Sequence, residues 1–356
     1  MEMIEGLVYI SDQEKGYTRK KIGRGFAYLD DKGEKITNEN TLKRIHDLKI
    51  PPMWKDIWIC KKAKGHLQVT GKDQKGRKQY LYHALWMKHR NEDKFRRMSE
   101  FARALPVIRE ASLKHMRKRG WPKDKVLGLV VQFLNDYFIR IGNIYYKEQN
   151  ETYGLTTLRR KHLQIEGKDL CFHYKAKSGK YRKISIKNNQ LSRLIKECSE
   201  LPGHEIFRYQ DEDKKWYSVD SHDVNEYLRR ITGAQFSSKD FRTWGGTVTA
   251  VEKYPDTRIE VSENSRKSLV PTLIKKVAEK LGNTVAICRE YYIHPAVLDA
   301  VETEKLGAFE KGINRKYPQL KDRLSKEELV ALNIIESYEK AVKIEGSLSE
   351  PKEKAA

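Results

Sequence analysis

The 356-residue chain has no run of 18 or more apolar residues; the longest apolar stretch, residues 126–141, is broken by Gln132, Asn135 and Asp136. A transmembrane helix is therefore not expected. The opening Met-Glu-Met-Ile-Glu lacks the basic and apolar regions of a secretory signal, so a cytoplasmic location is expected, with the nucleoid as the site if the source is bacterial. Cysteine is scarce. Cys60, Cys171, Cys198 and Cys288 show neither CxxC spacing nor a nearby histidine pair, so they read as isolated reduced thiols instead of a disulfide frame or a zinc site. Phosphate-loop glycines are missing too: Gly65 to Gly71-Lys72-Asp73 and Ala176-Lys177-Ser178 both break the GxxxxGK[ST] pattern. No HExxH occurs, and Asp211-Glu212-Asp213 lies in a lysine-rich turn that reads as a solvated loop. An ATP-driven machine is not expected, and neither a metal nor a cofactor is predicted. There is no internal repeat or low-complexity tract.

What is abundant is positive charge: 71 Lys+Arg against 49 Asp+Glu, a net +22. Charged residues make up 34% of the chain, above the ~25% usual in globular proteins, while 38% hydrophobic and 10% aromatic residues suffice for folded cores. A folded protein this basic attracts polyanions, nucleic acid first and an anionic membrane surface second.

The first ninety residues, with 20 basic and 11 acidic side chains, read as β-rich. Phe26-Ala27-Tyr28-Leu29 leads through Asp30-Asp31-Lys32-Gly33 to Lys35-Ile36-Thr37, a predicted hairpin, and residues 57–61 and 66–70 repeat the strand-and-turn pattern. From Trp86 the pattern turns helical. A helix is predicted to start at Pro122, to carry Leu127, Val130, Val131, Leu134 and Phe138 on one face, and to stop near Gly142. A β insertion over residues 164–186 forms a second hairpin with the basic tip Ala176-Lys-Ser-Gly-Lys180. Helices return after Asn189, and Ser325-Lys-Glu-Glu328 has capping-box spacing. Residues 346–356 read as a frayed polar tail. The sum is an α+β chain with a small β-rich amino-terminal domain, residues 1–88, and a larger mainly helical domain, residues 89–345, carrying a short β-hairpin.

Chemistry on phosphate without a metal needs arginine, lysine, neutral hydrogen-bond donors and a side-chain nucleophile. Four islands supply them. Phe138-Ile-Arg140-Ile-Gly142-Asn143 puts an arginine at a helix end, followed by Tyr153-Gly-Leu-Thr-Thr-Leu158. Phe172 to Lys180 presents lysines on a hairpin. Lys239-Asp-Phe-Arg242-Thr-Trp-Gly-Gly246 places two cations three apart on one helix face. Leu281-Gly-Asn283-Thr284 precedes Tyr291-Tyr292-Ile-His-Pro295 by a few residues.

In this order and at these separations the islands resemble the type IB DNA topoisomerases of the compact poxvirus and bacterial kind. The stretch from Gly65-His-Leu-Gln-Val-Thr-Gly to Gln79-Tyr80-Leu-Tyr82-His83 resembles that family's DNA-clamping domain, and the likeness runs from about Tyr17 to Glu302. The resemblance implies two domains closing as a clamp around supercoiled duplex DNA, and a monomer. It implies relaxation of that DNA by transient single-strand cleavage, strand rotation and religation, without ATP or metal. By the same resemblance Tyr292 is the nucleophile of a 3′-phosphotyrosyl intermediate, Arg140 and Arg242 bind the non-bridging phosphate oxygens, and Lys177 protonates the departing 5′ oxygen. Asn283 stands where poxvirus members carry histidine and bacterial members asparagine; an amide can donate to phosphate but cannot shuttle a proton. Lys239, Gln79, Tyr80 and Tyr82 match accessory DNA-contacting residues.

Taken singly, these residues have plainer readings. Arg140 could complement a helix dipole, Asn283 could cap a helix after Gly282, Tyr292 could be core, and one face of the strand bearing Tyr80 and Tyr82 could be core as well. Lys180 is an alternative to Lys177, and Tyr291 to Tyr292. Two rival functions also stand: a tyrosine recombinase, although such enzymes present His-x-x-Arg where this chain has Lys239-x-x-Arg242, and a non-catalytic architectural DNA-binding protein.

Overall fold

The computed structural model describes residues 4–143, 147–148, 150–166, 169–264 and 266–349. The chain divides into two compact units, Met1–Phe95 and Arg96–Ala356.

The first unit is built on a five-stranded antiparallel sheet in the order β2-β1-β3-β4-β5, with β1 Tyr17–Ile22, β2 Gly25–Leu29, β3 Lys55–Ile59, β4 Leu67–Lys72 and β5 Lys78–Tyr82. One face is covered by α1, Glu39–Asp47, started by the Asn38 side chain accepting from the Thr41 amide at 2.9 Å. Ile45 of α1 packs with Tyr28, Ile57, Ile59 and Val69 of the strands. The helix α2, Ala84–Arg96, reaches the end of the unit. The predicted hairpin over residues 26–37 is only partly present. The Asp30 turn forms, its Oδ1 accepting from the Lys32 and Glu34 amides, yet residue 35 makes a single bridge to Leu29. The true partner of β2 is β1, whose Tyr-Thr-Arg-Lys-Lys-Ile sequence carries no apolar alternation because it is largely exposed.

The second unit is mainly helical. The helices α3, Met98–Met116, and α4, Lys123–Tyr137, pack closely. A Cβ at Gly128 would lie 2.8 Å from the Ser112 carbonyl, which is why a glycine stands in the middle of α4. A three-stranded antiparallel sheet follows: β6 Leu163–Glu166, β7 Asp169–Lys175 and β8 Tyr181–Ile186. Next come α5, Asn189–Ser199; a small hairpin of β9, Arg208–Gln210, and β10, Trp216–Ser218; and α6, Ser221–Thr232. Asp211-Glu212-Asp213 is the turn of that hairpin, with the Asp211 carboxylate accepting from the Lys215 amide at 2.7 Å. The long α7, Ser238–Ser262, is followed by α8 Leu269–Leu281, α9 Val285–Tyr291, α10 Pro295–Glu302, α11 Leu306–Glu310, α12 Ile313–Lys316 and α13 Lys326–Ser349.

Phe101, Leu105, Ile108, Phe133, Tyr227, Phe241 and Trp244 form the centre of this unit. The buried Glu328 of α13 accepts from Arg109 and from Trp244 Nε1, at 3.0 and 3.2 Å, so α3, α7 and α13 share one charged contact. Burial works to raise the Glu328 carboxyl, and the hydrogen bond and charge of Arg109, with the Ser325 amide and the Trp244 indole, together more than offset it. The predicted capping box is present in both directions: Ser325 N donates to Glu328 Oε2 at 2.9 Å and Glu328 N to Ser325 Oγ at 3.2 Å. The helix α13 runs to Ser349, so residues 346–349 of the expected polar tail are helical; residues 350–356 lie outside those described.

Candidate active site

The site is assembled on α7. Ser237 and Asp240 close its amino end, with the Ser237 amide donating to Asp240 Oδ2 at 2.7 Å. One turn later Arg242 is buried at 4% exposure. Its Nη1 donates to the Phe138 carbonyl, and its Nη2 donates to Leu281 O at 3.1 Å and to Asn283 Oδ1 at 3.3 Å. This guanidinium thus ties the end of α4 to the end of α8.

The helix α4 ends at Tyr137, well before Gly142, so Arg140 is not in a last helical turn. The reason lies in tertiary contact. Phe138 takes a left-handed conformation, φ +50°, and its ring lies on Gly245 of α7, where a Cβ would fall 2.3 Å from the ring. The chain then runs extended, held by Leu155 N donating to Arg140 O at 2.8 Å and Thr156 N to Ile141 O at 2.7 Å. Gly142 is not a helix stop; with φ +97° it packs face to face with Gly154. These constraints carry Arg140 back toward α7, where its Nη2 donates to Asn283 Oδ1. Burial first, and then the charge of Arg242, hold the Arg140 guanidinium down to about 10. It remains a cation at neutral pH.

Asn283 lies in the link between α8 and α9. Gly282 ends α8 in the left-handed conformation, φ +64°, and the Asn283 amide closes back on Ala278 O at 3.0 Å. The side chain that caps α9 belongs to Thr284, whose Oγ1 accepts from Ile287 N at 3.3 Å. The helix-cap reading of Asn283 is therefore replaced: its Oδ1 is the shared acceptor of both arginines. Its Nδ2, like Nε of Arg242, is buried without an acceptor among the described residues.

Tyr292 follows α9, its amide donating to Cys288 O at 3.0 Å. Its main chain lies directly on α7: a Cβ at Gly246 would fall 2.3 Å from Tyr292 O, and His294 N donates to Thr247 Oγ1 at 3.0 Å. The ring centre is 5.1 Å from the Arg242 guanidinium carbon. Tyr291 differs in character. Burial and a hydrogen bond with Glu290 push its phenol up to about 12. Cys288, beneath the turn, is fully buried, and that burial pushes its thiol up.

Arg140, Arg242, Asn283 and Tyr292 are thus brought together. Lys177 is exposed at the tip of the β7–β8 hairpin, where Ser178 and Gly179 take φ +66° and +75°. Lys180, three residues on, donates to Asn283 O at 3.4 Å. Lys239, in the first turn of α7, is exposed, unlike Arg242.

The accessory residues of the first unit divide between the two faces of β5. Tyr80 and Tyr82 are on the exposed face, 45% and 38% accessible, with ring centres 6.0 Å apart and planes 12° apart. Gln79 is on the opposite face and donates to Asp73 Oδ2 at 3.0 Å. Arg77 holds that carboxyl down to about 2.

Sequence reading missed Phe138, Gly245, Gly246 and Thr247. The available signal was the glycine pair inside a strongly helical segment, which is unfavourable unless other chains approach there. Arg182 and Tyr174, which face the arginine pair from the β7–β8 hairpin, carried no signal of their own.

Comparison with known proteins agrees with this geometry. Residues 75–319 match the family described as eukaryotic DNA topoisomerase I, catalytic core, and residues 25–73 match bacterial DNA topoisomerase IB, N-terminal domain. The chain is 30% identical over 287 residues to DNA topoisomerase 1B of Acanthamoeba polyphaga mimivirus, covering 78% of this chain and 85% of that protein. It is 26% identical to DNA topoisomerase I of monkeypox virus and 25% identical to DNA topoisomerase 1B of vaccinia virus (strain Copenhagen), in each case over 78% of this chain and 90% of the relative. Of the three functions compatible with the sequence, these matches select one: the chain belongs to the type IB DNA topoisomerases, which relax supercoiled duplex DNA through a phosphotyrosine intermediate.

Proposed function

We propose that Tyr292 is the residue that becomes joined to DNA and that Arg140, Arg242, Asn283 and Lys177 carry the reaction with it. The observation that carries this reading is the convergence of both guanidinium groups on Asn283 Oδ1 beside the Tyr292 ring, with Arg242 Nε and Asn283 Nδ2 left as buried donors lacking acceptors among the described residues. Preorganised donors of this kind are worth most where charge develops in a transition state.

A phenol attacks phosphorus only as it gives up its proton, which passes here to solvent water. As the Tyr292 oxygen bonds to phosphorus, the phosphorus–5′ oxygen bond breaks, Lys177 delivers a proton to that oxygen, and the arginines hold the non-bridging oxygens. Asn283 orients the arginine pair through its carbonyl and offers Nδ2 to phosphate. The ester retains the bond energy, so religation reverses the same steps.

Residues 1–88 would serve DNA contact through Tyr80, Tyr82 and Gln79, with Lys239 contributing from the catalytic residues 89–345. A monomer acting on DNA in the cytoplasm or nucleoid completes the reading.

Relaxation of a supercoiled plasmid in chelator, without ATP, is the test. Wild type is expected to relax the plasmid and to leave a denaturant-trapped covalent adduct, and Tyr292→Phe to do neither. A persistent adduct in Tyr292→Phe would move the nucleophile to Tyr291.

A further inference from the structure

We propose that Arg182 is a positioning residue that locks the β7–β8 hairpin, and with it Lys177, onto the turn that holds Asn283. Arg182 stands directly across from Tyr174 in the β7–β8 register, five residues after Lys177. Its Nη2 donates to Lys280 O at 3.1 Å. The next carbonyl, Leu281 O, accepts from Arg242. The last two carbonyls of α8, which no helical amide can satisfy, are therefore each held by an arginine, one from the hairpin and one from α7.

Gly282 makes this passage possible. A Cβ there would fall 2.1 Å from Arg182 Nη1 and 2.7 Å from its Cδ, so the side chain lies across the bare α-carbon of Gly282. Lys180 reaches the same turn at Asn283 O. The hairpin thus grips residues 280–283 at two points, and Lys177 projects from the short tip between Lys175 and Lys180. Tyr174, beneath Arg182, is buried, and burial pushes its phenol up to about 12 against the opposing charges of Arg182, Arg242 and Arg140. It stays neutral and leaves the arginine charges intact. An exposed lysine at a short tip has only its hairpin's anchorage to fix its place, and a planar guanidinium can lie flat over Gly282 while donating sideways, which an ammonium cannot.

The proposal rests on the reading of Lys177 as general acid, and the test separates the two. Single-turnover cleavage is measured with an ordinary phosphodiester and with a substrate carrying sulfur at the scissile 5′ position, because a thiolate departs without a proton. Arg182→Ala is expected to slow the ordinary substrate roughly 10- to 100-fold, part of the ~10²–10⁴-fold that a positioned acid supplies, and to recover most of that deficit on the sulfur substrate. Each variant is compared with itself, so a reduced folded fraction lowers both rates alike and does not imitate rescue. Arg182→Lys, a milder change, is expected to show a smaller deficit, rescued the same way; it replaces Arg182→Ala in the comparison if the alanine variant does not fold. Rescue of Lys177→Ala without rescue of the Arg182 variant would overturn the proposal alone. An unrescued Lys177→Ala would overturn the general-acid reading and the proposal with it.

Discussion

Replacing Asn283 by aspartate should make the protein more stable and disable it. Two guanidinium groups share the Asn283 carbonyl, and burial together with mutual repulsion holds Arg140 near 10 instead of 12.5. A shift of that size corresponds to about 3 kcal/mol of unfavourable charging. A carboxylate of the same shape keeps the acceptor and supplies the missing countercharge. Recovering part of the penalty stabilises by roughly 1–3 kcal/mol, and ~2–4 °C per kcal/mol makes this readable in a melt of the catalytic unit. The same change replaces Nδ2, which has no acceptor among the described residues, by an oxygen, and under the proposed role of Asn283 it sets a negative charge beside the phosphate. At about 4–5 Å and an effective dielectric near 20, that repulsion costs about 3–4 kcal/mol, a ~10²–10³-fold loss in rate. Thermal unfolding and single-turnover adduct formation would be measured on the same preparation. Cleavage at the wild-type rate would refute the placement of Asn283 at the phosphate. A melting temperature below that of wild type would refute the account of two like charges held across one neutral amide.

Two other perturbations test the scaffold. Gly246→Ala would normally gain about 1 kcal/mol in a helix, but here the added carbon meets Tyr292 O at 2.3 Å; cleavage should fall at least ~10-fold while DNA binding, measured by equilibrium titration, is retained, and an unaltered rate would show that the Tyr292 main chain does not depend on this contact. His162 is held down to about 4, by burial first and then by Lys161 and Arg159, and its Nδ1 accepts from the Arg159 amide at 3.0 Å. Because its folded pKa lies below the unfolded value, its contribution is fully present above about pH 6.5 and is lost as pH falls toward 4, about 1–3 kcal/mol in all. Denaturant titrations across that window should show the slope in wild type and a flatter one in His162→Asn, which keeps an acceptor and cannot charge; equal slopes would remove His162 as the source.

Local patterns were the legible part of the fold. The Ser325–Glu328 capping box, the basic-tipped hairpin and the β5 strand with Tyr80 and Tyr82 facing outward depend on neighbours within a few residues, and they were readable or nearly so. The strand β1 was not, because an exposed basic strand has no apolar period to reveal it. The end of α4 was misplaced for another reason. Gly142 is the stronger local stop signal, and what stops the helix is Phe138 seated on a glycine more than a hundred residues away.

Taken alone, the sequence determined the partner class through its charge, the α+β order of elements, and the islands that hold the candidate chemistry. The tertiary structure decided what each group does to the others: that Asn283 serves the arginines through its carbonyl while Thr284 caps the helix, that Arg182 joins Arg242 at the end of α8, and that consecutive glycines on α7 let the Phe138 and Tyr292 segments approach it. Caps and turns are local free energies written into a few adjacent residues. The meeting of Arg140 with Asn283 spans 143 positions, and it exists only once packing against α7 has brought those segments together.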